Sequence, residues 1–344
     1  MPQNSADYAE LISISALHIH NIVTLSFEFT EQNRAIVVVD QRCKLAKIVA
    51  EAYRRTLPNA QFIDFDSVTP EFVLAAFEPL QPKDLVVLIQ STNFRLEAFR
   101  LRVELFKRQL KVIEHPHLER MSEEQIPYYI DSLAYDPGYY RRVGPALKQR
   151  IDQASRGRID SGANAQLFFD SPFESAKLNI GDYTGMNNIG GQFPIGEVFT
   201  EALDLEAVHG RLRIIVFGDT TFTVNKPAQP ITLIIEKGRV TGVENSTAEF
   251  DLVLQQIRED EGEIWLRELG FGMNRAFTGE RIVNDIGTYE RMCGIHLSLG
   301  GKHGQYNKPQ IRRAKVRYHV DVFADTQSVW LDDENIYIDG NWAV

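Results

Sequence analysis

AIVVV at Ala35–Val39, followed by KLAKIVAEAYRRTL at residues 44–57, decides the class of the N-terminal half. A continuous β-branched run offers no polar face to water, so it reads as a strand covered on both sides. The second stretch brings apolar residues back at helical spacing. The alternation repeats in QFIDF (61–65), TPEFVLAAFEPL (69–80) and DLVVLIQ (84–90). It continues in the amphipathic RLEAFRLRVELFKRQL (95–110) and in KVIEH (Lys111–His115). Strands and helices alternating in this way predict a parallel sheet with crossover helices. No glycine-rich turn opens any of these helices, so the phosphate-cradling device of nucleotide-binding α/β domains is missing and the domain reads as a scaffold or lid. Arg100, Arg102, Lys107 and Arg108 read as a solvated helix face rather than a binding patch.

Residues 115–159 read as helical, with turns at Pro127 and at Asp136-Pro137-Gly138. From about Asn164 the texture changes to short runs such as LRIIVFGDTTFTV, ITLIIEKGRVTGV and KVRYHVDVFAD. Period-2 alternation punctuated by Gly, Asn and Asp predicts a mostly antiparallel, β-rich region. The expected fold is an α/β N-terminal domain with a parallel sheet over residues 1–155. An α+β, β-rich metal-binding C-terminal domain follows over 156–344.

The net charge of −10 argues against a nucleic-acid or anionic-membrane partner, because neither polyanion attracts an acidic surface. No apolar run approaches the roughly 20 residues that span a bilayer. The start, MPQNSADYAELIS, lacks the basic segment and apolar core of a secretory signal. Cys43 and Cys293 make no paired spacing, which fits a reducing cytoplasm.

Four segments of the second half carry side chains suited to metal chemistry. GGQFPIGEVFT sets Glu197 after a glycine-rich loop. WLRELGFGMN sets Glu268 before Gly270-x-Gly272. YERMCGIHLSLGG contains Glu290 and His296, and YHVDVF contains His319 and Asp321. Residues i and i+2 of a strand share a face, so His319 and Asp321 can grip one ion together. Histidine and carboxylate donors suit zinc, cobalt, manganese or ferrous iron rather than thiol-selective metals. Taken singly, each residue has a plainer reading: Glu197 as a capping residue, a strand histidine as a hydrogen-bonded core residue. Four such segments in one β-rich half raise the metal reading. His18-x-His20, on an expected edge strand, and His115-x-His117, beside Pro116, lack a carboxylate-rich partner segment. Phe168, Phe169, Phe193 and Phe199 suit an aromatic pocket or, more plainly, core packing.

Together the four segments resemble the aminopeptidase T family of metallo-aminopeptidases. The order G-E-x-F-T, E-L-G-x-G-x-N, acid then H-x-x-x-G, and H-x-D runs over residues 161–325. The resemblance implies a usually dimeric two-metal peptidase, with Glu197, Glu268, His296, His319 and Asp321 as ligands. In a hydrolase of this kind, Glu290 or Glu201 is the expected general base, with His303 or Tyr306 stabilising the oxyanion. The family pattern has a glutamate where this chain has Arg291. The chain resembles more weakly the 2,5-dihydroxypyridine dioxygenases, which hold one ferrous ion. Three readings follow: a hydrolase of peptide N-termini with one or two divalent ions (zinc, cobalt or manganese), an Fe(II) oxygenase of a small aromatic, and a non-catalytic descendant. In the enzymatic readings the partner is a peptide or small-molecule substrate.

Overall fold

The computed structural model of the protein describes residues 3–92, 101–186, 190–311 and 315–344. The chain divides into two compact units. The first comprises Met1–Tyr140, Gly181–Ile195 and Val283–Asp285, and the second comprises Arg141–Ile180, Gly196–Ile282 and Ile286–Val344.

The first unit holds a parallel sheet in the order Gln61–Asp64, Ala35–Val39, Leu85–Ile89, Lys111–His115 and Gly190–Gln192. The first four follow the predicted strand runs within a residue or two. Ala35–Val39 and Leu85–Ile89 are buried at every position, as unbroken apolar runs require. The helix Lys44–Thr56 buries Leu45, Ile48, Val49, Ala52 and Tyr53, the stripe that its 3.6-residue period dictates. Its N-cap is Cys43, whose thiol sulfur accepts the Ala46 N–H. The helix Pro70–Phe77 is opened by Thr69, a capping hydroxyl followed by proline at N1. Val73 and Phe77 join Ile36, Val38, Val86 and Leu88 in one core, each contributing about 1.5–3 kcal/mol by burial.

The fifth strand was not legible as one. Gly190 packs so closely on the neighbouring strand that a Cβ would lie 1.8 Å from the Val112 carbonyl oxygen. The glycine that permits this pairing is the one that made the segment read as a loop. His18 and His20 lie in the α-helix Gln3–Asn21, not on an edge strand. The helix expected over 95–110 is described as Leu101–Lys107, with residues 93–100, including Arg100, outside the described residues. Arg102 pairs with Glu114, and Lys107 and Arg108 with Glu104, as a charge-laced helix face does.

His115 ends its strand fully buried between two tyrosines. The Tyr53 hydroxyl lies 2.9 Å from Nε2 and the Tyr129 hydroxyl 2.9 Å from Nδ1. Tyr129 donates its single O–H to the Phe193 carbonyl, so Nδ1 carries the imidazole proton and Nε2 accepts from Tyr53. Burial lowers the His115 pKa from 6.5 to about 3. The unfolded chain therefore binds a proton between those values that the folded chain refuses. Stability from this group is full above pH 6.5 and falls by about 1.4 kcal/mol per pH unit as pH drops toward 3. Denaturant midpoints measured at pH 7 and pH 5 are expected to differ less in His115→Gln, which stays neutral, than in the wild type. An equal difference in the two proteins would contradict this assignment.

The second unit is built on an antiparallel sheet. Its order is Asn341–Trp342, Glu334–Ile338, Ser328–Leu331, Gly157–Asp160, Gln166–Phe169, Val208–Gly218, Val320–Ala324, Gly294–Leu299, Leu266–Gly272, Glu197–Thr200 and Lys177–Asn179. Ile231–Glu236 and Arg239–Glu244 branch from Val208–Gly218. The helix Ala248–Glu261, capped by Thr247, buries Phe250, Val253, Leu254 and Ile257. The indole of Trp342 donates to the Gly272 carbonyl, which ties the last strand to the strand Leu266–Gly272. The fold class is the one expected: a parallel α/β region and a β-rich antiparallel region. Among the described residues, no helix is long and apolar enough to cross a membrane.

Candidate metal centre

Four adjacent strands of the second unit, Glu197–Thr200, Leu266–Gly272, Gly294–Leu299 and Val320–Ala324, fix the site through their register. Residues paired across antiparallel strands share a face. Glu197 pairs with Gly272, Gly270 with His296, and Ser298 with Asp321. One face therefore carries Glu197, His296, Ser298 and Asp321, and Glu268 two residues before Gly270. The other face carries Val198, Leu269, Phe271, Ile295, Leu297 and Val322, all buried apolar residues. Both faces are dry, so the polar face must satisfy itself.

It does so through charge. His296 Nε2 is 3.1 Å from Glu197 Oε1 and 3.7 Å from Glu268 Oε1. The second oxygen of Glu268 is 2.9 Å from His303 Nε2. His319 Nε2 is 3.1 Å from Asp321 Oδ1. Arg291 Nη1 lies 3.4 Å from Glu197 and also contacts Glu290. Burial acts to lower the pKa of His296, yet Glu197 and Glu268 raise it to about 9. Burial likewise opposes the charge of His319, which Asp321, Glu268 and the Lys302 carbonyl raise to about 10. Burial alone would push the Glu268 carboxyl up. The histidines around it, His296 and His303 foremost, hold it well below the usual carboxylate range.

Proximity here does not amount to hydrogen bonding. Glu197 Oε1, both ring nitrogens of His296, Ser298 Oγ, His303 Nε2 and Asp321 Oδ1 are buried and make no hydrogen bond among the described residues. Each such buried polar atom costs about 1–3 kcal/mol unless something else meets it. Ligand atoms of Glu197, Glu268 and His296 lie within 4.8 Å of one another, so these three could hold a metal ion. Nitrogen and oxygen donors without thiolate fit zinc, cobalt, manganese or ferrous iron.

Backbone contacts assign the other two histidines different tautomers. His319 Nδ1 donates to the Lys302 carbonyl at 3.1 Å, leaving Nε2 with its lone pair directed at the cluster in the neutral ring. His303 Nδ1 accepts the Gln305 N–H at 3.1 Å, so its proton sits on Nε2, beside Glu268. In their neutral forms His319 thus presents a lone pair at Nε2 and His303 an N–H.

The remaining candidates are committed elsewhere. Both carboxylate oxygens of Glu201 are held by Arg267, at 2.5 and 3.0 Å. Arg267 also donates to the Gly301 and Tyr306 carbonyls. Tyr306 gives its hydroxyl proton to the Ser175 carbonyl at 2.8 Å, and burial raises its pKa. Glu201 and Tyr306 therefore stand as packing and loop-fixing residues. Of the phenylalanines, Phe169 and Phe193 are core residues and Phe168 stacks on His209, whereas Phe199 lies beside His303. Ser298 escaped the sequence reading, although its place two residues after His296 was a period-2 signal for the same face. Nothing in the sequence marked Arg267 as the partner of Glu201.

Gly270 explains one glycine of the motif. A Cβ there would lie 2.0 and 2.1 Å from Cε1 and Nε2 of His296, so the imidazole occupies the space a side chain would need.

No family profile matches the sequence, and no curated protein matches it. The solved structures similar to this chain include two that match over 98% of its length. The 2,5-dihydroxypyridine dioxygenase from Pseudomonas putida KT2440 has a TM-score of 0.61 at 16% identity, over 98% of its own chain. Wild-type AmpT from Thermus thermophilus has a TM-score of 0.55 at 12% identity, over 99% of its own chain. At these identities the likeness is one of fold, and the chain shares its architecture with both enzymes.

Proposed function

We propose that the protein is a metal-dependent hydrolase that removes N-terminal residues from peptides. The observation that carries this reading is the buried histidine–carboxylate cluster whose ligand atoms go unmet by hydrogen bonds. Glu197, Glu268, His296, His319 and Asp321 are the ligands, and Glu268 directs one oxygen toward His296 and the other toward His303. A bound divalent ion would lower the pKa of a water and polarise the scissile carbonyl. The Lys302 carbonyl fixes the ring of His319. The Nε2–H of His303 supplies a donor for developing negative charge. Arg291 contacts both Glu290 and Glu197, and Glu290 is the carboxylate assigned to proton transfer. The reading includes the homodimer, which sedimentation measures.

A second reading is a mononuclear Fe(II) oxygenase acting on a small aromatic. It is favoured by Arg291, a fixed cation 3.4 Å from Glu197 that already neutralises part of the cluster. Elemental mass spectrometry of protein purified without chelator separates the two. About two equivalents of zinc, cobalt or manganese, with release of N-terminal residues from a peptide panel, is the expected result. Loss of that metal in Glu268→Ala, His319→Ala completes the case. One equivalent of iron would favour the oxygenase. No metal in the wild type would refute both.

A further inference from the structure

The connection between the strands Gly294–Leu299 and Val320–Ala324 is basic in an acidic chain. Residues 300–319 contain Lys302, Lys308, Arg312, Arg313, Lys315 and Arg317 and no aspartate or glutamate, against a net charge of −10 for the whole. Arg312 and Arg313 lie outside the described residues. The described part walls a cavity of about 680 Å³ whose lining includes Arg267, Lys302, His303, Tyr306 and Lys308 and no carboxylate.

Two of its cations are already matched. Arg267 is bound by Glu201, and Lys308 donates to Glu174 at 2.7 Å and to the Ala202 and Leu203 carbonyls. The ammonium of Lys302 makes no ion pair among the described residues and supplies the lining's unmatched positive charge. Its backbone is pinned at both ends, with N–H to the Tyr318 carbonyl at 3.0 Å and carbonyl to His319 Nδ1. The side chain therefore starts from a fixed point, one residue from His303. His303 belongs to both places, lining the cavity while its Nε2 sits 2.9 Å from Glu268. His303 thus borders both the cluster and a cavity whose lining, among the described residues, carries a cation and no carboxylate.

We propose that this cavity receives a carboxylate of the substrate, so that the substrate class is a short peptide with a free C-terminus or another small carboxylic acid. The proposal rests on the reading of the adjacent cluster as a metal-dependent catalytic centre. It is a statement about local charge, because the long-range field of an acidic chain disfavours anions.

The test is calorimetric titration of the full-length protein, equilibrated with zinc, with Leu-Ala, Leu-Ala amide and benzoate. Wild type, Lys302→Gln and Lys302→Glu are compared. Lys302 is exposed, so these changes leave the fold intact, as thermal melts will verify. Leu-Ala is expected to bind the wild type about tenfold more tightly than its amide, the effect of one partly solvated charge-assisted hydrogen bond. That preference disappears in Lys302→Gln and reverses in Lys302→Glu. Equal binding of acid and amide, or Lys302 changes that affect both alike, would overturn the proposal. Benzoate binding that depends on Lys302, with neither peptide bound, would uphold the carboxylate subsite and remove the peptide reading. Cleavage of Leu-Ala and its amide without acid preference would do the reverse.

Discussion

Glu201→Leu is expected to lower the unfolding free energy by about 3–5 kcal/mol, the cost of stranding a buried charge. Both members of the pair are shut off from water, with Glu201 at 0% and Arg267 at 4% exposure. The guanidinium left behind keeps only the Gly301 and Tyr306 carbonyls. Neither carries the negative charge that offset its desolvation. Arg267→Met alone leaves a buried carboxylate whose nearest remaining cation, Lys308, is 3.7 Å away. The double variant Glu201→Leu, Arg267→Met is expected to recover much of the loss, since an apolar pair of similar volume avoids the desolvation altogether. Guanidinium denaturation of the four proteins closes the cycle. If either single change costs less than about 1 kcal/mol, the pair is solvated and the assignment is wrong. Because Arg267 also holds the backbone at residues 301 and 306, amide exchange there should quicken in Arg267→Met.

Gly270→Ala is expected to abolish metal binding while changing one methyl group. His296 is 1% exposed and flanked by Phe323, with ring centroids 5.8 Å apart, so its ring has no open side to retreat into. A Cβ at 2.0 Å forces either the imidazole off its position or the two strands apart. Either movement breaks the grouping of His296 with Glu197 and Glu268. Bound zinc should fall to near that of Glu268→Ala, His319→Ala, with activity reduced at least about 100-fold, as misplacing a catalytic group by an ångström does. A folded Gly270→Ala variant with wild-type metal content would show that His296 is not a ligand. His296→Ala in the Gly270→Ala background relieves the clash and should restore stability without restoring metal.

What the sequence disclosed and what it hid have physical causes. Strands such as Ala35–Val39 are legible because a both-faces-buried strand needs unbroken apolar residues, which few other environments demand. The segments bearing Glu197, Glu268, His296, His319 and Asp321 were conspicuous because charged groups interrupt otherwise apolar or glycine-rich runs. Beyond the family resemblance, the grouping of Glu197, Glu268 and His296 was not legible, since it depends on which residue faces which across neighbouring strands. The strand Gly190–Gln192 was hidden because its glycine answers to a neighbouring backbone rather than to its own neighbours in sequence. Glu201 misled for a similar reason. Four residues from Glu197 it resembles another site carboxylate, and only the position of Arg267, 66 residues later, shows otherwise.

The strand order that builds the centre also constrains when it can exist. The donors proposed for it begin at residue 197 and end at residue 321, on four strands that are neighbours in space and far apart along the chain. Contacts of such long sequence separation close slowly, because loop entropy is lost before they reward it. No early-folding hairpin contains the full donor set. A chain emerging from the ribosome carries unmatched histidines and carboxylates until the strand Val320–Ala324 docks. On the metal-dependent reading proposed above, the full donor set is assembled late in biogenesis, once that last strand has joined the sheet.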